Sequence, residues 1–293
     1  SVTLTLNNKV QKAAWDALSG YQGAVIVTEV DTGKILAMVS KPSYNPNLLA
    51  SHDANTVLNE YNRLLHDPAN PMINRTIDGK LNPPGSVFKL VVTSAALESG
   101  KYTPESTFPN PSSLRLPGTD SIVKNSSRTS CGPGKTVTLA TALRLSCNIP
   151  FAELGLALGE ETIADYAERF GFGSAIEVPM TATPSTFPRG LDDAQVMLSS
   201  FGQYEVRVTP LQMASAYSVF ANGGYRISPV LIRKVADDRG RVLNDSPLAE
   251  PDESARAIDA RNAFMMSSLL QEVTRSGTAA KAQATLRRPD LYG

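Results

Sequence analysis

The chain has 293 residues, of which 42% are hydrophobic, and its 28 lysines and arginines are balanced by 28 acidic residues. It is long enough to bury a core in one large domain or two small ones. The zero net charge argues against a nucleic-acid partner, and no apolar run approaches the ~20 residues that cross a bilayer. The two histidines and two cysteines lack the spacing of a zinc site, and we expect no metal or other cofactor.

In chain order, the hydrophobic pattern predicts strands near both ends and helices between them. The predicted strands are an opening strand at 3–6, a hairpin at 23–39 and a second hairpin at 225–243. The predicted helices lie at 8–18, 55–65, 86–97, 138–147, 150–158, 160–170, 209–224 and 262–274. The remaining parts of 42–84 and the stretch 101–136 are rich in turn-forming residues and are predicted to be mostly irregular. This order, without alternation of strand and helix, favours an α+β fold.

The predicted helix at 86–97 carries the first pattern with chemical meaning. It is apolar all round, which is typical of a buried central helix, and it opens with Ser-Val-Phe-Lys from Ser86 to Lys89, directly after Pro-Pro-Gly. A Ser-x-x-Lys arises by chance about once in a chain of this length, and a second copy runs from Ser121 to Lys124. At the start of a helix residues three apart share a face, whereas in a strand they point to opposite faces. The spacing therefore favours Ser86 and Lys89 as the functional pair.

The setting of Ser86 favours a nucleophile. A helix N-terminus offers the positive end of the helix dipole and free N–H groups that can stabilise an oxyanion. Burial of Lys89 among apolar neighbours would lower its pKa toward that of a useful base. A capping serine beside a surface lysine would fit the same local pattern equally well.

A second polar group, Ser146 and Asn148, lies at the broken end of the helix predicted at 138–147. Another Ser-x-Asn begins at Ser43, but only the later copy follows Ser86 in chain order on a helix end that can face it. At such a position a hydroxyl can relay a proton, and an amide can hold a substrate carbonyl or N–H.

Together these features resemble the penicillin-binding proteins, the serine D,D-transpeptidases that cross-link peptidoglycan and are acylated by β-lactams. The resemblance covers most of residues 1–225 and includes the stretches TGKILAMVSKPSYNPN, DPANPMINRTIDGKLNPPGSVFK, SLRLPGT, CGPGKTVTLATAL and TPLQMASAYSVFANGG. The Pro-Pro-Gly and Ser-Cys-Asn segments are similar to the monofunctional class B type, particularly its actinobacterial members. Residues 209–293 are more similar to the bifunctional class A type.

The resemblance implies a fold, a mechanism and a set of ligands. The implied fold is the penicillin-recognising α+β fold, a mostly antiparallel sheet flanked by helices with an all-helical lobe. Ser86 would be the acylated nucleophile, Lys89 its base, Ser146 a proton relay, and Asn148 a ligand of the peptide backbone. The implied ligands are peptidoglycan stem peptides and β-lactams, and other cell-wall synthesis proteins are compatible partners. The implied location is extracytoplasmic, with a membrane anchor outside this chain.

One element of the family pattern is missing. The third motif, Lys-Thr-Gly or Lys-Ser-Gly on a strand that lines the site, does not occur in the sequence. The segment from Arg275 to Thr278 ends a predicted helix and is similar to a stretch that precedes the motif in the family. We therefore expect residues 1–293 to form a single transpeptidase domain whose last strands lie outside this chain.

The two cysteines, Cys131 and Cys147, are candidates for a disulfide. The extracytoplasmic location that the resemblance implies permits one. A bridge would tie the irregular stretch 101–136 to the turn between Ser146 and Asn148, with a stabilisation of ~3 kcal/mol. The alternative is a buried Cys147 thiol and an unrelated Cys131.

Two other functions share the Ser–Lys pair. A β-lactamase must also activate a deacylating water, and the sequence contains no Glu-x-x-Leu-Asn of the kind that supplies a carboxylate base in one β-lactamase class. A non-catalytic β-lactam sensor or scaffold of the same fold is the non-enzymatic alternative.

Overall fold

The computed structural model describes residues 1–246 and 253–293. Its strands are β1 (Val2–Leu4), β2 (Gly23–Thr28), β3 (Ile35–Lys41), β4 (Thr107–Pro109), β5 (Leu114–Arg115), β6 (Ile122–Val123), β7 (Thr136–Thr138), β8 (Ile232–Ala236) and β9 (Val242–Asp245). Its helices are α1 (Asn8–Ala17), α2 (Pro46–Leu49), α3 (Ala54–Leu65), α4 (Lys89–Glu98), α5 (Leu139–Arg144), α6 (Ile149–Leu158), α7 (Glu160–Arg169), α8 (Asp193–Ser199), α9 (Pro210–Ala221), α10 (Ala260–Ser276) and α11 (Ala280–Leu286). Short 3₁₀ turns lie at Gly85–Phe88 and Glu253–Ala255.

The strands form one three-stranded antiparallel sheet and three small ribbons. β8 is the middle strand of the sheet, between β1 and β9. The β2–β3 ribbon is also antiparallel and is joined to the sheet by a parallel bridge between Lys34 and Val230. The β4–β7 and β5–β6 ribbons lie in the stretch between α4 and α5.

The centre of the helical lobe is α4. Every residue from Lys89 to Leu97 is buried, because α6, α7 and α10 all pack against this helix. A helix that is apolar on every side is stable only in such a position, since any exposed face would leave apolar surface in water. The N-terminal end of α4, next to Ser86, is therefore held in place by packing on all sides of the helix.

The predicted α+β fold is confirmed, and most of the predicted elements are present. The N-terminal strand and hairpin, the buried helix at 86–97 and the Thr209 cap of α9 are found as expected. The stretch 101–136 was expected to be mostly irregular but contains three short strands and the start of a fourth, because the chain folds back on itself in the β4–β7 and β5–β6 ribbons.

Two boundaries differ clearly from the predictions, and two helices were not predicted. The helix predicted at 138–147 ends at Arg144, where the chain turns sharply. The strand predicted from 225 begins only at Ile232, after Pro229, which cannot donate to a ladder. The sequence analysis assigned no element to α8 or to α11. Within residues 1–246 and 253–293, no helix has the length and apolar character needed to cross a membrane.

The contact between α6 and α8 depends on a glycine. A Cβ added at Gly155 would lie 1.6 Å from Ser200 Oγ and 2.3 Å from Ser200 Cβ. We expect Gly155→Ala to lower the free energy of unfolding by about 1–3 kcal/mol, because the two helices must separate to admit the methyl group. Chemical denaturation measures this change. The control is Ala157→Ser, at an exposed position of the same helix, whose free energy of unfolding should stay within ~0.5 kcal/mol of that of the parent protein. Adding Ser200→Gly to Gly155→Ala should restore the lost stability. Equal losses of stability in Gly155→Ala and Ala157→Ser would contradict the packing argument.

Candidate active site

Ser86 and Lys89 meet because the chain enters α4 through a 3₁₀ turn. Gly85–Phe88 form this turn and Lys89 is the first residue of α4. Side chains three apart eclipse one another in a 3₁₀ helix, and accordingly Lys89 Nζ donates to Ser86 Oγ at 3.1 Å. The sequence analysis placed the helix start at Ser86; the tighter first turn is the reason the two side chains are in line. Ser86 itself is exposed, so its hydroxyl is open to a ligand.

Lys89 is buried while its serine partner faces solvent. The whole residue is 0% exposed, and its Nζ lies 5.5 Å from the centre of the Phe151 ring. Desolvation disfavours the ammonium form and lowers the pKa of Lys89 from 10.5 to about 7. At neutral pH a substantial fraction of this side chain is therefore the free amine, which can accept a proton from a hydroxyl.

The Lys89 amine is also the point at which the second motif joins the first. Nζ donates to Ser146 O at 2.8 Å, to Ser146 Oγ at 3.3 Å and to Asn148 Oδ1 at 2.9 Å. With Ser86 Oγ, these contacts bring the other three candidate catalytic side chains of the sequence analysis to the Lys89 nitrogen. Ser146 and Asn148 are 57 and 59 residues away from Lys89 in the chain, so the tertiary fold creates the cluster.

Ser146 occupies a backbone position that usually belongs to glycine. The turn after α5 is a Schellman motif, in which the Ser146 N–H donates to Leu143 O and the Cys147 N–H donates to Ala142 O. Ser146 accordingly has a φ of 54°, in the left-handed region that costs a non-glycine residue about 1–3 kcal/mol. A side chain retained at such a position points to a function for the Ser146 hydroxyl.

A neighbouring loop holds this turn from the other side. The Lys124 carbonyl accepts from Asn148 Nδ2 at 3.0 Å, and the Asn125 side chain accepts from the Asn148 N–H at 2.9 Å. In the structure Cys131 and Cys147 form a disulfide between the loop and the turn. The loop end is in turn held by Asn110, whose side chain bonds the backbone at Cys131.

A turn after α8 fixes the backbone next to Ser86. The Gly85 N–H donates to Gly202 O at 2.9 Å, and a Cβ at Gly202 would lie 2.1 Å from the Gly85 carbonyl oxygen. Only glycine permits this approach, which sets the backbone immediately before Ser86. No pattern in the sequence identified Gly202 or Asn125, because each acts through a contact with a distant segment.

The other copies of the motifs lie elsewhere. Ser121 is exposed and begins the short β6 region, as the strand argument expects, although the Lys124 carbonyl does reach the site. Asn45 caps α2, and Gly277 follows the last residue of α10. Within the described part of the chain, no group of three or more His, Cys, Asp and Glu residues could hold a metal ion.

The arrangement has the parts of a nucleophilic acyl-transfer site. An exposed hydroxyl lies 3.1 Å from a buried amine with a lowered pKa, and a second hydroxyl lies 3.3 Å from the same amine. Such a set can deprotonate the nucleophile and deliver the proton to a leaving group without a histidine.

Comparison with known proteins agrees with this geometry. The family model "Penicillin binding protein transpeptidase domain" matches residues 23–291. The chain belongs to the penicillin-binding protein transpeptidase family. It is class B-like and of the actinobacterial PbpA type: it is 36% identical over 276 residues to the peptidoglycan D,D-transpeptidase PbpA of Mycolicibacterium smegmatis, covering 92% of this chain and 55% of that protein. It is also 35% identical over 278 residues to penicillin-binding protein 1A of Neisseria gonorrhoeae, covering 93% of this chain and 32% of that protein.

Solved structures of this family place the chain on the same fold. The crystal structure of PbpA from Mycobacterium tuberculosis superposes with a TM-score of 0.87 at 33% identity, covering 94% of this chain and 64% of that chain. The penicillin G acyl-enzyme complex of the same protein superposes with a TM-score of 0.88 at 33% identity, covering 94% and 63%. The chain spans about half the length of the curated PbpA relatives it matches.

Because Ser146 has a left-handed backbone, two substitutions can separate its effect on stability from the effect of its hydroxyl on acylation. We expect Ser146→Gly to be more stable than Ser146→Ala by about 1 kcal/mol, because glycine relieves the strain that alanine retains. Both variants lack the hydroxyl, and both should react with fluorescent penicillin at least ~10-fold more slowly than the parent protein. Thermal unfolding and acylation time courses on the full-length protein measure the two effects. Equal stability of the two variants would rule out strain at Ser146, and parental reaction rates would rule out a role for its hydroxyl.

Proposed function

We propose that this protein is a penicillin-sensitive peptidoglycan D,D-transpeptidase that works through a seryl acyl-enzyme. The observation that carries the proposal is the 3.1 Å contact between the exposed Ser86 hydroxyl and the buried Lys89 amine. The comparisons support it, since PbpA relatives bear this activity in their names and the PbpA of M. tuberculosis forms acyl-enzymes with penicillin G and imipenem.

In the proposed acylation step, Ser86 Oγ attacks the carbonyl carbon of the penultimate D-Ala of a stem peptide. Lys89 Nζ, as the free amine, takes the hydroxyl proton as the Oγ–C bond forms. The C–N bond to the terminal D-Ala then breaks, and the leaving nitrogen receives a proton from Ser146 Oγ, which is replenished from Lys89 across their 3.3 Å contact. An acceptor amine, or water, attacks the ester carbonyl in the second step and releases Ser86.

Substrate binding is assigned to groups that the cluster leaves free. Asn148 Nδ2 uses one N–H on the Lys124 carbonyl, and its second N–H is the donor that we assign to the peptide backbone. The Ser86 N–H lies at the N-terminal end of the helical segment, and we assign it to one half of an oxyanion hole.

The remaining assignments follow from the reaction. The ligands are peptidoglycan stem peptides and β-lactams, whose strained amide is attacked by the same hydroxyl, and other cell-wall synthesis proteins are the natural partners. Peptidoglycan lies outside the cytoplasm, so we place the protein there, held to the membrane by a segment outside these residues. The Cys131–Cys147 disulfide of the structure fits that location.

The nucleophile is tested by covalent labelling. Ser86→Ala should abolish labelling of the full-length protein by fluorescent penicillin, with a loss of at least ~1000-fold, because the other hydroxyl beside Lys89, that of Ser146, is half-buried and is assigned to proton transfer. Ser121→Ala, in the second Ser-x-x-Lys, is the matched control and should label like the parent protein. Labelling that persists in Ser86→Ala would overturn the assignment. Rapid release of hydrolysed penicillin by the parent protein would favour a β-lactamase.

The base is tested by pH. Because burial lowers the pKa of Lys89 to about 7, the free amine increases as the pH rises through 7. The second-order rate constant of acylation should therefore rise about 10-fold per pH unit below pH 7 and level off above it. Lys89→Arg should lose acylation at every pH, since guanidinium keeps its proton. An acid limb centred near pH 10 would show that Lys89 keeps its ordinary pKa and is not the base.

A further inference from the structure

Asn148 starts α6 but does not cap it. Its side chain makes no capping hydrogen bond with the helix, although asparagine is among the preferred N-cap residues. The side chain is used in the active site instead, where Oδ1 accepts from Lys89 and Nδ2 donates to the Lys124 carbonyl. A helix start leaves several N–H groups without intrahelical acceptors, so the start of α6 needs an acceptor from elsewhere.

Asn125 is that acceptor. Its Oδ1 accepts from the Asn148 N–H at 2.9 Å and from the Ile149 N–H at 3.1 Å. Its Nδ2 donates to the Thr129 carbonyl at 3.0 Å, which identifies the end of the amide that carries the oxygen. Asn125 is 3% exposed, so water is a poor substitute for these bonds.

We propose that Asn125 is a positioning residue that holds the first N–H groups of α6 and so fixes the backbone from which the Asn148 amide reaches the active site. An N-cap side chain accepts from the second or third helical residue, so Asn148 cannot take over the bonds that Asn125 makes to the Asn148 and Ile149 N–H groups. Without Asn125 these buried N–H groups lose their acceptor, and the resulting shift of the first turn of α6 withdraws Oδ1 from Lys89 Nζ. The same movement takes Nδ2 away from the Lys124 carbonyl.

This positioning role predicts different outcomes for two substitutions of similar size. Asn125→Leu removes the acceptor, and the start of α6 should shift together with the Asn148 side chain. Asn125→Asp keeps an oxygen for both N–H groups and places a negative charge at a helix N-terminus, which is favourable. Asn125→Asp also loses the bond to the Thr129 carbonyl. Its negative charge stabilises the Lys89 ammonium, so its acylation rate at low pH cannot be compared with that of Asn125→Leu. The variants are therefore compared at pH 9, on the alkaline plateau.

The matched control is the N-cap residue of a helix that makes no contact with the active-site side chains. Asp53 accepts from the N–H groups of Asn55 and Thr56 at the start of α3, and Asp53→Ala removes two capping bonds there. Its expected effect is a loss of thermal stability with the acylation rate unchanged. Asn125→Ala replaces Asn125→Leu if the latter does not fold.

The first measurement is the second-order rate constant of acylation by fluorescent penicillin in the full-length protein. It is taken from pseudo-first-order time courses, so it does not depend on the folded fraction. This measurement rests on the proposed function. We expect the rate constant to fall at least ~10-fold in Asn125→Leu and less than ~3-fold in Asn125→Asp and Asp53→Ala. A parental rate in Asn125→Leu, an equal loss in Asn125→Asp, or an equal loss in Asp53→Ala would overturn it.

The second measurement does not require activity. In protein labelled with ¹⁵N-asparagine, the side-chain NH₂ signals of Asn148 should shift in Asn125→Leu and stay near their parental positions in Asn125→Asp. Unchanged Asn148 signals in Asn125→Leu would also overturn the inference. If the parent protein is not acylated at all, the proposed function fails, and the NH₂ signals still decide the role of Asn125.

Discussion

The desolvation of one lysine is the constraint on which the rest of this structure depends. Lys89 is fully buried, and the difference between its ordinary pKa of 10.5 and about 7 corresponds to about 5 kcal/mol against the ammonium form. The burial of every residue from Lys89 to Leu97 in α4 offsets this cost. The hydrogen bonds from Nζ to Ser86, Ser146 and Asn148 satisfy the amine without a carboxylate that would restore its charge. The buried amine and the helix that supports it therefore depend on each other.

Segments that are distant in the chain hold the backbone around the Lys89 amine in place. The Gly202 turn sets the backbone before Ser86, and the Asn125 loop sets the backbone around Asn148. In each case the decisive partner is a backbone group or a buried amide, whose position depends on the packing behind it. Contacts of this kind hold reacting groups in fixed relative positions, which favours their reaction.

The cost of this order is visible at Ser146. Its left-handed backbone is strained, and the strain is tolerated because the Schellman turn of α5 and the disulfide at Cys147 hold the turn on both sides. Glycine would suit the backbone better but would remove the hydroxyl beside Lys89. Active sites commonly concentrate strain of this kind, where a side chain is needed at a position that favours none.

The sequence by itself determined the local features of this protein. The apolar run after Ser86, the Thr209 cap and the hairpin at 23–39 are short-range patterns, and they correctly predicted α4, α9 and the β2–β3 ribbon. The pairing of Ser86 with Lys89 needed only helix spacing. The same apolar run predicted the burial of Lys89. Tertiary structure alone decided that Ser146 and Asn148 contact the Lys89 amine, and that Gly202 and Asn125 bond the backbone next to Ser86 and at Asn148. These contacts join residues far apart in the chain, and no local periodicity records them, because long-range hydrogen bonds form only when the packed elements come together.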